Sequence, residues 1–255
     1  MADSTLSLLL RGYAWLPDRR RRSGGAPVRS RLVGKRVIAL HGPAAVRFFY
    51  DENHIHRHGT LPEPVIDTLF GQGAVHTLDG EPHRVRKGTA MVDGFASAGP
   101  RQLRARVARR RQERRLAGLV ERERDGGDRF YPFAPFIGGL AANRLEWEGG
   151  TIRPGTLVLL DLYGQNHDPD LWPRVFDPAR FQGTPVRPDE LVPQGGGDPT
   201  TGHRCPGEDI TVALLSTLAV LLSGLAYRVP EQDLSIPLHR VPTAPRSGFV
   251  IEDVR

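Results

Sequence analysis

Residues 193–208, PQGGGDPTTGHRCPGE, hold the only cysteine of the 255-residue chain among five glycines. Glycines at 195, 196, 197, 202 and 207 let the backbone run flat against another surface and take angles that a side chain forbids. Pro206 follows Cys205 as a proline does where it opens a helix. The sequence therefore predicts Cys205 at the N-cap of the apolar segment beyond, with free amides and the helix dipole directed at its sulfur. Such a setting favours thiolate over thiol. A lone thiolate can serve as a nucleophile, a metal ligand or inert filler. A nucleophile needs a base, and His203 stands two residues away. The ligand reading uses more of the segment, because a flat haem tolerates close backbone approach and takes one cysteine as its axial ligand. One cysteine excludes an internal disulfide framework and any multi-thiolate zinc or iron–sulfur centre.

Two further segments carry polar residues suited to chemistry: AVHTLDG, residues 74–80, and DGEPHRVRK, residues 79–87. Together with the cysteine segment they resemble the cytochromes P450, and within them the bacterial fatty-acid peroxygenases, whose longer QGGGDxxxGHRCPGE haem loop is shared here. The chain departs from the general P450 loop in having Asp198 and Thr201 where that loop has phenylalanine and glycine. The resemblance implies haem b, with Cys205 as the axial thiolate. It implies that His83, Arg86 and Lys87 hold the propionates, a match of charge, and that Gly196, Gly202, His203 and Gly207 belong to the cofactor-binding loop. It places His76 as a distal proton donor. Long-chain fatty acid and hydrogen peroxide are the implied substrates, hydroxylation or decarboxylation the outcome, and no redox partner is required. DLYGQNHDPDLWPRVFDPARF, residues 161–181, is similar to the family's meander, with Pro178, Arg180 and Phe181 in its P-x-R-F element. RFYPFAPF, residues 129–136, resembles the end of the K-helix.

These residues need elements to position them. The fold class expected is mainly α with a minor β region, a cytochrome P450 fold incomplete in its distal half. It forms one domain over 1–255: residues 5–95 run through the C-helix, 96–128 are an arginine-rich joint, and 129–255 hold the K-helix end, hairpin, meander, haem loop and L-helix. Thr5 to Leu16 reads as an amphipathic helix. Val37 to Leu40 reads as a strand ending in the turn His41-Gly42-Pro43, after which Pro43 opens a helix. Further helices are predicted from Pro64 to Phe70 and from Asp79 to Met91, the latter with Pro82 in its first turn. EWEGG, TIRPG and TLVLLDLY read as strands turning at Gly149-Gly150 and Pro154-Gly155. Asn166 to Pro193 reads as a packed meander, and Thr211 to Tyr227 as a buried core helix rather than a membrane span.

The formal charge of +6 is concentrated in residues 101–124, which hold ten arginines. No aromatic residue is interleaved there for base stacking, so a solvated face is the plain reading and nucleic-acid binding the remote alternative. Met1 to Leu16 lacks the basic start and small-residue cleavage site of a signal peptide, which points to the cytoplasm. No segment matches the family's I-helix, whose arginine–proline element binds the fatty-acid carboxylate, and Gly126 replaces the glutamate three residues before Arg129. A degenerate relative that binds haem weakly or not at all is accordingly the alternative to an active peroxygenase.

Overall fold

The computed structural model describes residues 2–60, 73–89, 134–173 and 189–255, with residues 63, 66, 67, 177, 180, 186 and 187 between them. The arginine-rich run, Gly126, Arg129 and most of the Pro64–Phe70 segment lie outside the described residues, as do Pro178 and Phe181.

The centre of the fold is a five-stranded mixed sheet in the order β1-β2-β7-β4-β3, formed by β1 (Val28–Leu32), β2 (Lys35–Leu40), β3 (Ile55–His56), β4 (Phe136–Ala141) and β7 (Leu157–Asp161). β2 and β7 pair in parallel, with Ile38 opposite Val158 and Leu40 opposite Leu160. Strands buried on both faces read as near-continuous apolar runs, and these two do. Side-chain alternation sends Ile38, Leu40, Val158 and Leu160 to one core and Val37, Ala39 and Leu159 to the other. The first core is closed by α3 (Pro43–Tyr50) through Ala45, Val46 and Phe49. The second is closed by Trp15 and Leu16 of α2 (Trp15–Arg22). Each large apolar side chain buried this way stabilises the fold by about 1.5–3 kcal/mol. A separate hairpin joins β5 (Leu145–Trp147) to β6 (Gly150–Ile152).

The single helix expected over Thr5 to Leu16 is instead broken. α1 (Thr5–Arg11) ends at Gly12, a 3-10 turn follows, and α2 begins at Trp15. Gly12 has φ +51°, and a Cβ there would collide with the backbone oxygen of Leu238. The break is therefore imposed by chain more than two hundred residues away. The strand expected over TLVLLDLY stops at Asp161. Its carboxylate accepts from the Gly164 N–H at 2.8 Å and caps the short helix α5 (Leu162–Asn166).

Beside this joint lies a buried ionic cluster. His41 Nε2 donates to the Asp168 carboxylate at 2.5 Å, Arg20 Nη1 lies 3.2 Å from it, and His41 Nδ1 lies 3.6 Å from Asp161. Burial pushes the Asp168 carboxyl up, but the Asp170 N–H, His41 and Arg20 outweigh it and hold the group below the usual carboxylate range.

Two helices flank the cysteine segment: α4 (Gly80–Thr89) and α6 (Glu208–Ser223). The expectation of a buried core helix over Thr211 to Tyr227 is corrected. Val212 and Ser216 are buried, but Leu214, Leu218, Leu221 and Leu222 are between 43% and 57% exposed. Apolar composition called for cover, yet cover depends on what packs alongside. Among the described residues no helix is long and apolar enough to cross a membrane.

Candidate haem-thiolate site

The approach to the cysteine loop is set by α5. Buried Gln165 donates to the Asp189 carbonyl at 2.6 Å, and the Asn166 side chain accepts from the Val192 N–H at 3.0 Å. The loop then presses on α3. Gly195 (φ +96°) and Gly196 sit where a Cβ would collide with the Tyr50 hydroxyl and with Val46, so the flat surface met by the glycine run includes the Tyr50 ring. Burial raises the Tyr50 phenol, and the Gly196 amide donates to it. Further on, Asp198 gathers the Thr200 and Thr201 amides at 2.7 Å each, and the Gly202 N–H donates to the Asp198 carbonyl at 3.0 Å. These amide bonds lower the Asp198 carboxyl. The Cys205 N–H closes the loop on the Gln194 carbonyl at 3.1 Å.

Cys205 is half-buried and does not cap the helix. α6 starts at Glu208 with Gly207 as its N-cap, so the expectation that Pro206 opens the helix is corrected. A Pro206-Gly207 turn intervenes, and the first backbone bond of the helix runs from Thr211 to Gly207. Dipole effects fade beyond the end turn, so the charged groups around the loop matter more. Arg204 and Glu208 span the joint as a bidentate pair at 2.7 and 2.8 Å, fixing the two residues that bracket the turn.

α4 is strapped to the same loop. Lys87 is almost wholly buried, and its ammonium donates to the Gly202 carbonyl and to the Arg204 carbonyl, the latter at 2.7 Å. Burial lowers the Lys87 pKa, while Cys205 and Asp198 oppose that shift. One turn earlier on α4, His83 is buried and stacks on His203, with ring centroids 3.9 Å apart and planes 22° apart. His83 Nδ1 and His203 Nε2 are buried without a hydrogen-bond partner. Burial, then Arg57, His83 and Lys87, bring the His203 pKa down to about 3, although Asp79 and Glu52 lie 3.7 and 4.0 Å from its Nε2. His83 is lowered too, first by burial and then by Lys87. Both rings are neutral at pH 7. Glu52, His83 and His203 bring possible ligand atoms within 4.8 Å of one another. Stacked rings aim their in-plane lone pairs side by side instead of at one point, so the trio is not arranged to clasp a metal ion.

Of the residues singled out from sequence, the structure brings His83, Lys87, Gly202 and His203 together around the Cys205 loop. Gly196 packs on α3, and Gly207 is the N-cap, its Cβ position 3.7 Å from the Cys205 sulfur. Arg86 is exposed and donates to the Gly73 carbonyl at 2.7 Å. His76 is exposed on a 3-10 turn, Val75–Thr77, where what cover it has lowers its pKa. Sequence reasoning missed Arg57 and Tyr50. Arg57 is buried, lies 4.0 Å over the Phe49 ring, donates to the Gly138 carbonyl and receives charge support from Asp79. Nothing local marks it, whereas the apolar spacing of α3 put Tyr50 at the edge of a legible helix.

The cytochrome P450 family profile matches residues 129–246. The chain superposes on cytochrome P450EX alpha with myristic acid at a TM-score of 0.84 and 25% identity, over 99% of this chain and 97% of that one. It superposes on a variant of cytochrome P450SP alpha at 0.83 and 28%, over 99% of each chain. The chain has the cytochrome P450 fold. Ligand-free cytochrome P450 OleT, at 24% identity, matches the P450 fold with a TM-score of 0.88. Among curated P450 relatives, human cytochrome P450 4A22 is 30% identical and human cytochrome P450 4A11 is 32% identical, each over 126 residues. Those matches cover 48% of this chain and 24% of either relative.

P450 proteins carry a haem-thiolate iron. The donors present fit that group: a single half-buried sulfur in a glycine loop, a buried cation beside it and an orphaned imidazole nitrogen facing no partner. Cys205 would hold the iron, and His83 and Lys87 would meet the propionates. Bound there, the haem would supply oxidative chemistry at iron, which electron donation from the thiolate promotes.

Proposed function

We propose that this chain is a haem-thiolate peroxygenase that oxidises a long-chain fatty acid near its carboxylate at the expense of hydrogen peroxide. The observation that carries the reading is the strap from Lys87 to the carbonyls of Gly202 and Arg204, which fixes the Cys205 loop. Superposition on a myristate-bound relative supports the substrate class. Within this reading Cys205 is the axial ligand, Lys87 and His83 answer the propionates, and Arg86 does so only on leaving the Gly73 carbonyl. His76, neutral at pH 7, takes a proton from peroxide and returns it to the departing oxygen. No redox partner takes part, because peroxide brings both oxygen and electrons. Residues 5–95 and 129–255 form the cofactor-binding frame, and 96–128 form the joint between them.

The test is reconstitution of the full chain with haem. A reduced, CO-bound Soret band at the wavelength that names the family, lost in Cys205→Ala, is the expected result, together with peroxide-dependent oxidation of myristic acid. Absence of the band from folded protein would sink the proposal. The second reading, a degenerate relative without activity, is favoured by the uncovered leucines of α6. It predicts a weak or absent CO band and no turnover of myristate.

A further inference from the structure

A second concave site lies between the β1–β2 hairpin and the β5–β6 hairpin, with a cavity volume of about 370 Å³. That is the size range of small-ligand pockets, roughly 300–1,000 Å³. Its floor is apolar, made by Ile38 and Ile152, and its rim carries Arg29, Arg31, Arg36 and Arg153 with the hydroxyl residues Thr151 and Thr156. Among the described residues no carboxylate lines it. None of the four arginines makes an ion pair with a described carboxylate.

The register sharpens the anomaly. β1 and β2 are antiparallel, and Arg31 stands directly opposite Arg36. Residues so placed have Cβ atoms about 4.5–5.5 Å apart, and like charges there are destabilising. Arg29 lies two residues from Arg31 on the same exposed face, and its guanidinium donates to the Thr151 carbonyl at 3.3 Å, which ties it across the groove. The carboxylates of the flanking segments hold other bonds, and only a weak attraction links Asp3 to Arg31. Asp3 accepts from the Thr5 amide and hydroxyl at 2.9 and 2.6 Å and from the Gly34 amide at 2.8 Å. Glu146 accepts from the Thr151 hydroxyl at 2.9 Å and pairs with Arg144 at 3.8 Å. Four guanidinium forks around one concavity, two of them opposed on a ladder, constitute a site that is stabilised by an anion and strained without one. Guanidinium forks match phosphate oxygens in geometry as well as charge.

We propose that this groove binds a phosphate-bearing anion, with Arg31 and Arg36 sharing the phosphate and Arg29 and Arg153 closing on it from the hairpin side. The site is separate from the Cys205 loop, so it stands whether or not the chain turns over fatty acid. The phosphate can come from a free phosphorylated small molecule or from a lipid headgroup.

The test is calorimetric titration of the full chain with pyrophosphate at low salt. One saturable site is expected, weakened by about tenfold or more in Arg31→Gln/Arg36→Gln, which removes charge-assisted hydrogen bonds. Arg22→Gln/Arg240→Gln, which removes the same charge elsewhere, should leave it unchanged. Because the opposed pair is repulsive, the groove variant should melt no lower than the parent in anion-free buffer. Should it melt lower, Arg153→Gln, outside the ladder, must itself weaken binding. Cosedimentation with phosphatidic acid vesicles but not phosphatidylcholine vesicles assigns the headgroup, and pyrophosphate binding without cosedimentation assigns the soluble ligand. No saturable binding up to about 10 mM, a level near −3 kcal/mol, with no vesicle binding, overturns the site. So does an equal loss in both double variants, which would mean diffuse attraction only.

Discussion

Two buried histidine clusters among the described residues differ in the carboxylates that face them. At the β7–α5 joint, His41 Nε2 is held by Asp168 at 2.5 Å, with Asp161 and Arg20 close by, although His41 Nδ1 and Arg20 Nε are buried without a hydrogen-bond partner. At the α4–loop junction, His83 and His203 are stacked on each other, two of their nitrogens have no hydrogen-bond partner, and their carboxylates come no nearer than 3.7 Å. A carboxylate at hydrogen-bond distance makes the first cluster a structural lock. Each orphaned nitrogen, in either cluster, costs about 1–3 kcal/mol, and only the second cluster lacks a bond to a carboxylate that offsets it.

The largest break in that comparison is Asp168→Ala. Removing the carboxylate leaves buried His41 without its hydrogen bond and costs about 3 kcal/mol, so a urea melt should show the largest loss of apoprotein stability in this set. The same carboxylate sets a pH dependence. Its folded pKa is depressed, so its contribution is present above the unfolded value of 3.8 and is lost as pH falls below it. The parent's melting temperature should therefore fall steeply below about pH 4, and Asp168→Asn should flatten that limb. Next in size is Lys87→Met, which keeps the buried stem and deletes two charge-assisted bonds. A loss of about 2 kcal/mol is expected in chemical denaturation, along with weaker haem uptake by absorbance titration. Arg204→Ala should cost about 1 kcal/mol, because its pair is partly exposed. The smallest effect belongs to His203→Phe. An apolar ring of similar shape keeps the stack and removes the orphaned atom, so apoprotein stability should stay within about 1 kcal/mol of the parent. A large loss in that variant would erase the distinction between the two clusters.

Much of the frame was legible because it is local. Pro43 opens α3, the glycine turns separate β5, β6 and β7, and the DGEP start precedes α4, each by chemistry confined to a few neighbours. The cysteine loop was legible as a loop for the same reason. What escaped was set at long range. Gly12 interrupts a good helical pattern because the Leu238 carbonyl occupies the space. Arg57 owes its burial to the ring of Phe49 and the carbonyl of Gly138. α6 has the composition of a core helix, and composition cannot say whether neighbours cover it. Asp161 as the cap of α5 lay between these cases: its spacing to Gly164 was in the sequence, hidden by the strand pattern that ran into it.

The Lys87 strap and the β4–β7 ladder have a consequence for chain topology. The strap anchors residue 87 to residues 202 and 204, and the ladder anchors residues 136–140 to residues 157–161. The stretch between these anchors thus begins and ends at fixed posts. For a segment tethered at both ends, doubling its length changes the closure entropy by only about 0.6 kcal/mol. The frame is in effect a socket with two terminals, into which connectors of very different lengths can be wired without re-registering a single strand.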